Sequence, residues 1–309
     1  MKKTPLAMLV LLTVLALVLV IAGCQSLPDG DPNMNTSPQT RLLEVPHGTL
    51  SYDDQGEGPL MLMLPGLGDL RQSYRFLAPE MAAAGYRVVT MDLRGHGDSS
   101  AAWPEYTTTT VAEDVIALLA HLDAGPAILV GNSFSAGVAV WLSTEHPELV
   151  ASMIMIGPFV RDHGKPSLMI RTTMGVLFNG PWRVQGWALF HSTLFTHQKP
   201  ADYKDYRRAL VANLSEPGRF DAVKAMIDRS DAEVDARLSQ VQLPTLIIMG
   251  SADPDFKDPA AEAEAIASAT RGQTAIIAKA GHYPQAEMPF ETAQAIMQFL
   301  QAATIAKAS

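Results

Sequence analysis

From residue 41 onward the chain alternates between short, unbroken apolar runs and longer stretches whose apolar positions recur at helical spacing. "LLEVPHGTLSYDDQG" reads as two short strands around a turn at His47–Gly48. "PLMLMLPG" is apolar without interruption, as expected of a strand covered on both faces. A helical stretch, "SYRFLAPEMAAAG", and a strand, "YRVVTMDL", come next. The helix "TVAEDVIALLAHLDAG" then leads into the strand "AILVG", and a further helix into the strand "ASMIMIG". Near the C-terminus the pattern gives "PTLIIMG", a helix near 259–269, "TAIIAKAG", and a last helix from about Phe290 to Ala302. Strands separated by helices of this length need right-handed crossovers, which predicts an α/β fold built on a doubly wound, mostly parallel sheet.

Two regions depart from the alternation. Residues 159–240 carry no buried-strand signal and read as several helices broken at "FNGPW" and "SEPGRF". This predicts a helical cap inserted on top of the sheet. It holds Phe178, Trp182, Trp187, Phe190 and Phe195, a dense share of the aromatics. Most of these rings are expected to pack the cap's own core. Trp182, Trp187 and Phe190 lie within nine residues and are the candidates to line a substrate pocket beneath it.

The second departure is the N-terminus. Met1-Lys2-Lys3 precedes the apolar run "LAMLVLLTVLALVLVIAG", and the run ends at Cys24. A basic start, an apolar run and small residues form an export signal. The ending "IAGC" resembles the lipobox of bacterial lipoproteins, which are cut before the cysteine and lipidated on it. The alternative is a plain membrane anchor, since the run approaches spanning length. Either reading predicts a chain tethered to a membrane outside the cytoplasm, and Gln25 after the cysteine leans toward the outer membrane. Residues 25–40, "QSLPDGDPNMNTSPQT", are polar and rich in Pro and Asn, as a tether would be. The expected divisions are a signal at 1–23, lipidated Cys24 and tether at 24–40, core at 41–158, helical cap at 159–240 and core at 241–309.

Composition narrows the function. Cys24 is the only cysteine among 309 residues, so no intrachain disulfide can form. The net charge is −9, and removal of the signal would take away two lysines and no acid, giving −11. The eight histidines do not fall at metal-ligand spacing, and no basic run interleaved with aromatics appears, which argues against nucleic-acid binding.

The candidate chemistry lies in "AILVGNSFSAGVAVW". The strand ends at Gly131 and a helix begins almost at once, so the residue at the tip is forced into a strained turn whose neighbours two before and two after must be small. The strand boundary selects Ser133 over Ser135. A serine needs a base and a group to orient that base. In a doubly wound sheet these belong after later strands, and Asp253 in "MGSADPD" and His282 in "KAGHYPQAEMP" meet that condition. Gly281 beside His282 is expected to permit an unusual backbone angle. Two backbone donors for an oxyanion are expected from Phe134 and from Leu67 in "LPGLGDL".

With "LPGLGD", "MDLRGHGDSS", "VGNSFSAG", "GSADP" and "AGHYPQAEMP" in this order, the chain resembles the α/β-hydrolase family over nearly all of residues 41–305. The resemblance implies Ser133 as nucleophile, His282 as base, Asp253 as acid, Leu67 and Phe134 as oxyanion donors, and no cofactor. The Asp, Arg and His of "DLRGHGDSS" are expected to be structural. Three departures stand out: Ser135 replaces a common Gly, "PGLG" replaces the commoner His-Gly opening, and Asp255, Asp258 and Asp162 compete for the acid position. The expected activity is cleavage of carboxylic esters with apolar acyl or aryl groups. The alternatives are a carbon–carbon bond hydrolase or haloperoxidase-like relative and, from a different class, an inactive surface binding module.

Overall fold

The computed structural model describes residues 40–164 and 167–308. The residues read as an export signal, Cys24 and all of the expected tether except Thr40 lie outside the described residues. Among those described, no helix is long and apolar enough to cross a membrane.

The core is an eight-stranded sheet of β1 (Arg41–Val45), β2 (Gly48–Gln55), β3 (Leu60–Leu64), β4 (Arg87–Met91), β5 (Ala127–Asn132), β6 (Val150–Ile156), β7 (Thr245–Gly250) and β8 (Gln273–Ile277). The strand order is β1-β2-β4-β3-β5-β6-β7-β8. β1 and β2 form an antiparallel hairpin at one edge, β2 also pairs antiparallel with β4, and every other pairing is parallel. The central runs are apolar throughout because successive side chains enter opposite layers, both of them covered. Leu60, Leu62 and Leu64 pack with Leu129, Met153, Met155 and Ile247 in one layer. Met61 and Met63 pack with Val88, Val130, Ile154 and Ile248 in the other. Helices α1 (Leu77–Ala83) and α10 (Pro289–Ala308) cover the second layer through Leu77, Met81 and Ile296. Helices α2 (Thr108–Leu122), α3 (Phe134–Glu145) and α9 (Pro259–Thr270) cover the first through Val111, Val138 and Ile266.

This topology sets where a ligand can sit. The chain runs from β3 outward to β4, then crosses back to place β5 on the other side of β3. The loops leaving the C-terminal ends of β3 and β5 therefore diverge and open a crevice between them. One of these loops is "PGLGD"; the other begins at Ser133.

Between β6 and β7 the chain forms α4 (Leu168–Phe178), α5 (Arg183–Thr193), α6 (Tyr203–Leu214), α7 (Arg219–Ile227) and α8 (Ala232–Arg237). The Gly-Pro signals fall in the breaks before α5 and α7. Phe178, Trp187, Tyr206, Leu210 and Phe220 form a small core of their own. Polar ties fasten these helices to the loops at the C-terminal edge of the sheet. Arg75 holds Asp202 through two hydrogen bonds of 2.7 Å, Asn213 donates to the Gly97 carbonyl at 2.8 Å, and Arg219 donates to the Ser99 carbonyl.

Candidate active site

The turn at Ser133 has the predicted strain. β5 ends at Asn132, α3 begins at Phe134, and Ser133 between them has φ 55° and ψ −119°. A non-glycine residue held there costs about 1–3 kcal/mol. The crowding is equally evident at Gly131, where a Cβ would fall 2.4 Å from the Ser135 carbonyl oxygen. The two serines are separated by their partners. Ser135 is fully buried, and its hydroxyl is donated to the Pro65 carbonyl, tying the elbow to the loop after β3. Ser133 is half-buried at the opening of the turn, and its backbone N–H is given to the Ile156 carbonyl at 2.9 Å.

His282 and Asp253 meet across the ends of β7 and β8. His282 Nδ1 lies 2.8 Å from Asp253 Oδ2, with both side chains almost fully buried. Asp253 Oδ1 accepts the Asp255 N–H at 3.0 Å, which fixes the carboxylate plane. The carboxylate acceptor puts the proton on Nδ1 and leaves Nε2 as the basic nitrogen. Close backbone approach makes the meeting possible: a Cβ on Gly250 would sit 2.0 Å from the Gly281 carbonyl oxygen, and one on Gly281 would sit 2.1 Å from that of Leu194. The reason for Gly281 is thus corrected. Its φ lies outside the left-handed region, and what excludes a side chain is the Leu194 carbonyl, which also accepts the His282 N–H at 2.9 Å.

The other acids have separate tasks. Asp258 caps α9 by accepting the Ala261 N–H at 3.0 Å. Asp162 is exposed and closes a local turn onto the Gly164 N–H. Asp255 comes nearest to sharing the role, with Oδ2 3.6 Å from His282 Nδ1, beyond hydrogen-bond reach. Burial disfavours a charged His282, but Asp253, Asp255 and Asp69 together outweigh it and hold the imidazole above an ordinary histidine's pKa. Asp253, Asp255 and His282 also have the donor atoms for a divalent ion, all within 4.8 Å. The 2.8 Å Nδ1–Oδ2 contact is, however, the length of a shared proton. Two ligands at about 2.0–2.2 Å around a tetrahedral ion would stand farther apart.

The loop after β3 borders the elbow. A Cβ on Gly66 would lie 3.2 Å from Ser133 Cβ, and Gly68 adopts φ 68°. Leu67 sits between them, and Phe134 is the first residue of α3. His96 braces this loop: Nε2 accepts the Gly68 N–H and Nδ1 faces the Arg94 carbonyl, both at 2.9 Å. Burial lowers its pKa to about 4, which keeps Nε2 an acceptor at neutral pH. Asp92 and Arg94 serve the scaffold, in ion pairs with Arg71 and Asp114.

The three cap aromatics diverge. Trp182 lies at the surface, 37% exposed, with its indole N–H donated to the Val176 carbonyl rather than turned toward the Asp253–His282 pair. Trp187 packs against Phe178 and Phe190 and donates its N–H to the Gly68 carbonyl at 2.8 Å, so it fastens the cap core to the loop after β3. Phe190 is half-buried and bridges that core to the cluster around Phe195 and Tyr283.

Four neighbours of the site escaped the sequence reading. Phe159 lies edge-on to His282 at 5.8 Å between ring centroids, and Tyr283 does the same at 5.2 Å. Asn132 donates from Nδ2 to the Ile156 carbonyl at 2.9 Å and approaches the His282 carbonyl at 3.4 Å, joining the elbow to the histidine loop. Asp69 is buried close enough for its charge to act on His282. Each lies within three residues of a strand end or of a residue already singled out, which is the only signal the sequence offered.

A family model for the alpha/beta hydrolase fold matches residues 59–289. A Mycobacterium tuberculosis protein named as a non-heme bromoperoxidase, BpoC, is 38% identical over 108 residues, 35% of this chain and 41% of that protein. The match thus spans about two fifths of that relative's length. The sn-1-specific diacylglycerol lipase ABHD11 of Mus musculus is 23% identical over 296 residues, 92% of each chain. A thermophilic esterase from Thermogutta terrifontis superposes with a TM-score of 0.70 at 23% identity, covering 86% of this chain and 99% of its own, which is a likeness of fold.

Proposed function

The chain belongs to the α/β-hydrolase family, and from that premise we propose that it is a serine hydrolase cleaving carboxylic esters of apolar acyl or aryl groups through an acyl-enzyme. The observation that carries this reading is the 2.8 Å contact of His282 Nδ1 with Asp253, beside an elbow whose strained tip is a serine. Ser133 Oγ attacks the ester carbonyl carbon while His282 Nε2 takes its proton. Asp253 holds the ring in the required tautomer and faces the imidazolium that forms. The Leu67 and Phe134 N–H groups receive the oxyanion. Collapse breaks the bond to the alkoxy oxygen, His282 protonates the departing alcohol, and water then releases the acid by the same steps. The mycobacterial relative's name favours a second reading, haloperoxidase-like chemistry on the same serine. An inactive binding module would have no use for the buried His–Asp pair.

A fluorophosphonate probe separates enzyme from binder: modification at Ser133 is expected, and no modification of the folded chain would sink the reading. The substrate is tested with ester panels graded by acyl length. An apolar pocket gains about 0.8 kcal/mol per buried methylene, so two added carbons should raise kcat/KM about tenfold until the pocket is full. A flat response, with bromide oxidation by peroxide instead, would favour the second reading.

We also propose that the chain is a bacterial lipoprotein, anchored through Cys24 with its body outside the cytoplasm. The support is the basic–apolar–"IAGC" start and the polar stretch that follows it. Cys24→Ser is expected to abolish incorporation of labelled fatty acid. Unchanged labelling in that variant would refute the anchor.

A further inference from the structure

Where the cap meets the loop after β3, a second set of polar groups is buried that the hydrolytic steps do not use. Asp69, two residues after Leu67, is fully buried. Its Oδ1 accepts the Leu70 N–H at 3.0 Å and the Tyr206 hydroxyl from α6, while its Oδ2 is buried without a hydrogen-bond partner among the described residues. His191 on α5 is 1% exposed. Its Nδ1 lies 3.3 Å from the Tyr203 hydroxyl, and its Nε2, 3.8 Å from Asp69 Oδ1, is likewise buried without a partner. Two orphaned polar atoms on facing elements are costly to bury unless something completes them. Their position relates them to the reaction. His191 packs against Tyr283 at 5.1 Å, and Tyr283 stands edge-on to His282 at 5.2 Å. The Asp69 charge also reaches His282.

We propose that Asp69 and His191 form a polar subsite that binds a hydroxyl group carried by the ester substrate, beside the scissile carbonyl. The proposal rests on the serine-hydrolase reading and adds a requirement that the apolar pocket alone does not impose. Burial keeps His191 neutral, with its pKa lowered to about 3, so the ring carries one N–H. When the Tyr203 hydroxyl donates to Nδ1, as the proposal requires, that N–H is on Nε2. A hydroxyl matches the pair because one oxygen both donates, to Asp69 Oδ2, and accepts, from His191 Nε2. A carboxylate would be repelled by Asp69, and an ammonium would have no acceptor on the histidine. The rings of Phe195, Tyr203 and Tyr283 crowd His191, so a methylene in place of the hydroxyl would leave both polar atoms unpaired in a dry setting.

The test compares kcat/KM for matched esters in the full chain, Asp69→Asn and His191→Phe. One pair carries the hydroxyl on the acyl side, 3-hydroxybutyrate against butyrate esters. The other carries it on the alcohol side, 2-hydroxyethyl against propyl butyrate. At least one pair should favour the hydroxylated ester by about tenfold, and both variants should lose most of that ratio. The pair that responds identifies the side of the scissile bond. Ratios near one in the unaltered chain, or ratios unchanged in a variant that folds, would overturn the subsite and leave a bound water as the occupant. Fluorophosphonate labelling of Ser133 in every form keeps the outcomes apart: lost labelling in the unaltered chain defeats the hydrolase reading, whereas retained labelling with flat ratios defeats only the subsite. The two substitutions lie on separate elements, so a folding failure in one leaves the other to decide.

Discussion

Ser133→Ala is expected to lower kcat/KM on simple esters by about three or more decades while the melting temperature changes little. In the proposed mechanism the hydroxyl removed is the group that forms the acyl-enzyme, and it stands alone at the tip of the elbow. Alanine keeps the Cβ that already sits at φ 55°, so the strain of the turn is unchanged. Ser135→Ala is the companion measurement. It takes the donor away from the Pro65 carbonyl, and a lost buried hydrogen bond costs about 1–3 kcal/mol of stability. Its kcat should stay within about tenfold of the parent, because that bond supports the loop without touching the reacting atoms. An exchange of the two results would move the nucleophile to Ser135. Equal, complete losses in both, with intact folding, would mean that the tie to Pro65 is as necessary as the nucleophile.

Asp253→Asn should cost about three to four decades, because an amide facing Nδ1 can supply an N–H and favour the wrong tautomer of His282. Asp255→Asn is expected to act differently, through the pH profile. His282 serves as a base only when neutral, and the carboxylates around it raise its pKa. The free chain therefore gains activity as the pH climbs through that raised value. Removing the Asp255 charge takes away one of the groups that hold the proton on, so the acid limb of kcat/KM should move to lower pH. The plateau should remain within about tenfold, as Asp255 lies 3.6 Å from Nδ1 and makes no hydrogen bond to it. A limb that moves to higher pH would contradict the electrostatic argument. If Asp255→Asn proves the more damaging change at the plateau, the acid is Asp255.

Much of the core and the elbow was legible in advance. A strand buried on both faces must be apolar at every position, so "PLMLMLPG", "AILVG" and "PTLIIMG" announced parallel strands without any alternation. The small residues around Ser133 follow from local crowding: Gly131 has no room for a Cβ because the next turn of chain is 2.4 Å away, and that constraint acts within five residues. The order of Ser133, Asp253 and His282 could be read because side chains at strand ends share one edge of a doubly wound sheet.

The contacts around Ser133, Asp253 and His282 are of another kind. Asp253 and Asp255 are alike in the sequence, and only the path of the chain from Gly250, crossed closely by Gly281, decides which carboxylate meets Nδ1 at 2.8 Å. Asp69 is separated from His191 and Tyr206 by more than a hundred residues, and no local pattern predicts that α5 and α6 will bury the latter two against the loop after β3. The aromatics of the cap show the same limit. Trp182 and Trp187 are five residues apart with the same side chain, yet one is exposed and the other is fastened to Gly68. The sequence alone determined what short-range sterics and two-sided burial dictate: the strands, the elbow and the residue types at the strand ends. Tertiary structure alone decided which polar atoms face each other and which remain unpaired, because those pairings depend on how separate elements dock rather than on any residue's immediate neighbours.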